Sequence, residues 1–139
     1  MAYALFLALG AIGAGLWMAL LSRLEYGDRL YLAVGLAIAA AVYVVLGVGS
    51  ASALTLGVTT AAVGFFSLLG IGGARRWVAL LTIGWGLHAL WDLLAPYVFD
   101  LAYMPGWYAP ACLGFDLVVA SYLVTRPTDP ISADELLAS

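Results

Sequence analysis

One histidine and two aspartates pose the chemical question in this chain. His88 and Asp92 stand four residues apart in the run Trp85-Gly-Leu-His-Ala-Leu-Trp-Asp92, and Cys112 and Asp116 repeat that spacing further on. On an α-helix such residues are separated by only about 40° around the axis, so each pair shares a face. Both pairs are embedded in apolar sequence, where a polar group without a partner is costly. His88, Asp92, Asp116 and Cys112 together offer nitrogen, oxygen and thiolate donors. That set suits zinc with one position left for water, and would serve metal-assisted hydrolysis with a spare carboxylate as proton acceptor.

The same groups admit three other readings. They would act as intramembrane glue that fixes which helices meet. They would form a proton or ion relay, although no ionisable residue continues the path inward from His88 and Arg75 and Arg76 lie too near the inner end. Or His88 would ligate haem, with no second histidine for the other axial place. Tyr43 falls at a similar depth and adds a phenol. Trp85 and Trp91 flank the histidine and would wall an apolar ligand pocket.

The elements that carry these residues follow from hydropathy. Of 139 residues, 65% are hydrophobic and 9% charged, against about a quarter charged in soluble proteins. A soluble chain of this length cannot hide so much apolar surface, so the bilayer is the expected solvent and main partner. Spans of roughly 20 apolar residues are needed to cross the hydrocarbon core. Five stretches meet or approach this, at about 3–21, 30–48, 53–71, 77–99 and 109–125. The expectation is an all-α bundle of five spans in one transmembrane domain over 1–126, followed by a short cytoplasmic tail at 127–139. Pro127 and Pro130 interrupt that tail, and Ser132-Ala-Asp-Glu135 has the pattern of a capping box.

Charge placement orients the bundle. Arg23, Arg29, Arg75, Arg76 and Arg126 all fall on one side of a five-span chain, which by the positive-inside rule places the N-terminus outside and the C-terminus in the cytoplasm. So one-sided a bias argues against dual insertion as an antiparallel pair. Tyr3, Tyr97, Tyr103, Trp107 and Tyr108 would mark the outer interface, and Tyr26, Tyr31 and Trp77 the inner one. Glu25, Asp28 and Arg29 form a charged inner turn, and Asp100 ends the fourth span.

With no early basic residue, the first apolar run reads as a retained span and not a cleaved signal. Without lysine or any basic stripe, nucleic acid is not an expected partner. The single cysteine rules out an internal disulfide. Small residues supply packing seams: Gly10, Gly13 and Ala14 in the first span, Gly35 and Ala39 in the second, and Gly57, Ala61 and Gly64 in the third. Gly84 would let a helix approach just below His88. A membrane-protein partner or a second copy is compatible with such seams.

His88-Ala-Leu-Trp-Asp92, followed by a proline-containing aromatic loop and Cys112-Leu-Gly-Phe-Asp116, resembles a family of small bacterial integral membrane proteins catalogued only as a domain of unknown function. The resemblance covers mainly residues 84–122 and implies that His88, Asp92 and Asp116 belong together in a bacterial cytoplasmic-membrane protein. The pattern is also similar to membrane hydrolases that use intramembrane histidine and aspartate ligands, but departs from their three-histidine zinc site, since only one histidine is present.

Overall fold

A computed structural model describes residues 1–23, 28–99 and 101–126, apart from the side chain of Asp28. The charged turn at Glu25, the inner-belt Tyr26, the span-ending Asp100 and the tail over 127–139 therefore lie outside the described residues.

Five α-helices follow one another: α1 (Ala2–Leu21), α2 (Asp28–Gly47), α3 (Ala53–Arg75), α4 (Val78–Val98) and α5 (Tyr108–Val124). The first four are long and apolar enough to cross a membrane. At 17 residues, α5 sits at the lower end of the spanning range. Their outer surface is apolar, with Val45, Leu16 and Leu68 each about 70% exposed. The chain is thus a multi-pass membrane protein whose His88, Asp92 and Asp116 turn inward. Alternating helix directions bring Arg23, Arg29, Arg75, Arg76 and Arg126 to one end of the bundle.

Helix α3 runs through the connector expected at 72–76 and ends only at Arg75. Its two terminal glycines explain the extension. A Cβ on Gly73 would strike the backbone of Leu81, and one on Gly72 would strike the Leu80 side chain. The first turn of α4 can therefore fold back directly onto the last turn of α3, which leaves only Arg76 and Trp77 as the turn. At the other end of α3, Ser52 caps the helix by accepting a hydrogen bond from the Thr55 amide at 3.1 Å.

In space the helices do not follow chain order. Helix α1 packs on α5, α5 on α4, α4 on α3, and α3 on α2, with a smaller contact between α2 and α4. The sequential neighbours α1 and α2 are not a substantial packing pair. The α1–α5 contact is backbone to backbone, because Gly10 lies against the Ala111 carbonyl and Gly114 against the Leu7 carbonyl. Toward α2, the close position on α3 is Gly70, against Ala33. Gly57 and Gly64 have nothing near their virtual Cβ positions, so the seam expected there is not a contact within this chain.

A candidate intramembrane polar site

Helix α4 presents one buried stripe, comprising Val78, Leu81, Gly84, Trp85, His88, Ala89, Asp92 and Ala95. This is the face expected from helical spacing. Gly84 accommodates Leu36 of α2 and Leu69 of α3, the close approach expected below the histidine. His88, Asp92 and Asp116 are 0%, 2% and 1% exposed.

His88 Nδ1 lies 2.7 Å from Asp116 Oδ2 on α5 and 3.5 Å from Asp92 Oδ2 one turn along α4. The inter-helix partner is therefore the closer one. Asp92 Oδ1 accepts a hydrogen bond of 2.6 Å from the Tyr43 hydroxyl on α2. Three helices thus converge on one cluster. Asp92 Oδ2 and His88 Nε2 are buried without hydrogen-bond partners among the described residues. Phe66 of α3 stands edge-to-face on the imidazole with centroids 4.9 Å apart, so it fixes the ring plane but offers no lone pair. When Asp116 is a carboxylate, the Nδ1–H donates to it and Nε2 becomes the lone-pair nitrogen.

Among the described residues, His88 is the only basic side chain paired with either carboxylate. One imidazolium at most faces two carboxyl groups in a low-dielectric interior, so with both ionised the cluster is short of positive charge, and without a cation one aspartate must hold a proton. The donor atoms of His88, Asp92 and Asp116 all lie within 4.8 Å of one another. Tetrahedral zinc with bonds of about 2.0–2.1 Å needs donors about 3.3 Å apart. With the ring proton moved to Nε2 and Nδ1 as the ligand, the separations of 2.7 and 3.5 Å from that nitrogen lie on either side of this value.

Cys112 is half-buried and lies outside this mutually close group. It lines a separate cleft together with Trp85 and Asp116. Trp91 borders an outward groove between α3 and α4. The two tryptophans expected to wall one pocket therefore face different cavities. Tyr108, expected at the interface, turns inward instead: its hydroxyl donates to the Ala39 carbonyl at 3.1 Å, and its ring packs edge-to-face on Tyr43.

A vestibule of about 210 Å³ reaches Asp92 and Tyr43 from the end of the bundle opposite the arginines. Tyr3, Pro96, Met104 and Pro105 contribute to its walls. Of the aromatics in the loop before α5, Tyr103 packs on Gly47 of α2 and Trp107 is half exposed. Pro96 was not singled out from the sequence. Within α4 it has no N–H to offer the Asp92 carbonyl one turn back, so the site residue is also the point where the helical ladder is interrupted.

No protein-family model, curated protein or solved structure matches the chain.

Proposed function

We propose that this protein binds a divalent metal ion, with zinc the best fit, through His88, Asp92 and Asp116 inside the membrane. The observation that carries this reading is one imidazole set between two fully buried carboxyl groups, with Asp92 Oδ2 making no hydrogen bond among the described residues. A cation coordinated by all three side chains supplies the missing charge. Tyr43 then acts through Asp92, holding the carboxylate in place with its hydrogen bond. Zinc held by three protein donors keeps a fourth position for water or substrate, which is the arrangement used in hydrolysis.

The positive-inside bias and the resemblance over residues 84–122 support a setting in the bacterial cytoplasmic membrane, with the arginine end in the cytoplasm and the vestibule facing out. The same reading makes the chain a member of the family of small bacterial membrane proteins that its histidine and aspartate pattern resembles.

Metal content of the purified protein tests this. Wild-type protein refolded from chelator into zinc-containing buffer is expected to retain one zinc per chain by elemental analysis, while His88→Ala and Asp116→Asn lose it. Wild-type protein without bound metal after this treatment would overturn the reading.

A second reading has its own support. Tyr43, His88 and Asp116 lie on three different helices, and the direct contact between α2 and α4 is otherwise small. In that reading the cluster is structural, and the same substitutions lower stability in detergent with no metal involved.

A further inference from the structure

The gap left by the separation of α1 from α2 is a cleft of about 620 Å³ with almost wholly apolar walls. Gly13, Leu16 and Leu20 supply one side, and Val34 and Ile38 the other. On α2 it runs from Tyr31 to Val42, a length of about 16 Å at helical rise, or half the hydrocarbon thickness. Val34 and Ile38 are among the exposed apolar residues of the bundle surface, so the cleft opens sideways.

Its back wall is different. There it meets Asp116, Cys112 and Trp85. Trp85 is 1% exposed, and its indole Nε1 has no partner among the described residues. The benzo edge next to that nitrogen faces Gly35, where a Cβ would lie 3.4 Å from the ring. An apolar slot the length of one leaflet's chain is thus backed by a buried, unpartnered indole donor and by a ligand of the proposed metal site.

We infer that this cleft admits the hydrocarbon chain of a neutral, ester-bearing lipid from the bilayer, and that the lipid's polar end reaches the His88/Asp92/Asp116 site from the side. The inference rests on the metal-site reading for what the lipid meets, but not for how it is bound. The indole N–H only donates, so the lipid's end group must accept. The Asp116 carboxylate in the same wall disfavours an anionic end group, so an uncharged acceptor fits, and an ester oxygen is the one bilayer lipids carry at the head of the chain. The outer vestibule reaches Asp92 from another direction, so a lipid in the cleft and water from outside would meet at the cluster.

The test uses the full chain in nanodiscs of ether-linked phosphatidylcholine, which carries no acyl ester, with a monoacylglycerol bearing a mid-chain diazirine. Photolabelling mapped by mass spectrometry is expected to saturate on 13–20 and 34–42, and to be displaced by unlabelled monoolein but not by hexadecane. The open groove beside Phe65 and Leu94 serves as internal control and should label in simple proportion to the probe. Val34→Trp, and independently Gly13→Leu, should weaken the saturable labelling by about tenfold, as overpacking of a fitted slot implies. Both variants should still bind zinc one to one. Linear labelling of the cleft, equal competition by hexadecane, or labelling unchanged in both variants overturns the proposal. So does a protein–protein crosslink through the cleft in place of the lipid, which would mean a second copy covers it. Saturable labelling in a chain without zinc would remove the metal reading and leave the lipid slot standing, whereas zinc binding with linear labelling would do the reverse.

Discussion

His88 is held more closely by Asp116, across a helix interface at 2.7 Å, than by Asp92 in its own helix at 3.5 Å. The imidazole is thereby aimed by tertiary packing, and the i, i+4 neighbour keeps one oxygen free to bind something else. Asp92→Asn should therefore abolish zinc binding while leaving the α4–α5 contact intact. Elemental analysis together with a disulfide crosslink engineered between α4 and α5 would check both halves.

Tyr43 steadies Asp92 without being a metal donor itself. Tyr43→Phe is expected to lower zinc affinity by about 10–100-fold, the usual cost of losing an outer-shell partner, while saturating zinc still fills the site one to one. Competition against a fluorescent chelator reads this out. Unchanged affinity would separate the phenol from the metal site.

Tyr108 provides the matching control. Its hydroxyl bonds the Ala39 carbonyl and not the cluster. Tyr108→Phe should cost about 1 kcal/mol of stability, within the range measured for hydrogen bonds between membrane helices, with no change in zinc affinity. Equilibrium unfolding in mixed detergent would show the difference.

Glycine substitutions should divide sharply by position. Gly114→Val drives a side chain into the Leu7 carbonyl and should cost at least about 1–3 kcal/mol or prevent α1 from docking. Gly57→Val and Gly64→Val meet open space and should lie within about 0.5 kcal/mol of wild type. Thermal stability of the three proteins in one detergent decides the matter.

Orientation is tested by fusion. A fluorescent protein that matures only in the cytoplasm, joined after Ser139, is expected to glow, and alkaline phosphatase at the same place is expected to be inactive. The opposite pair of results would invert the topology.

Hydropathy and helical spacing made the spans and the buried face of α4 legible, because a bilayer punishes misplaced polarity along every turn. The meeting of His88, Asp92 and Asp116 was readable for the same reason. Other features depend on partners distant in sequence. Gly70, Gly73 and Gly114 look no different from Gly57 and Gly64 until the opposing backbone is known. Cys112 shares the i, i+4 spacing and the cleft face with Asp116, yet a rise of about 6 Å along α5 keeps it out of the group. Phe66 carries no chemical mark in the sequence that would announce its stacking on His88. Tyr108 looked like an interfacial anchor because position alone does not reveal which way a phenol at a helix start will turn.

The packing of α1 against α5 also dictates a timetable for biogenesis. Helix α1 leaves the ribosome before its principal docking partner, which follows only after three further helices, so it must wait in the lipid while they are made. Only when α5 follows can Gly10 and Gly114 close the bundle and shape the lateral opening. A truncated chain stopped before residue 108 should accordingly leave α1 untethered and exposed to membrane quality-control proteases.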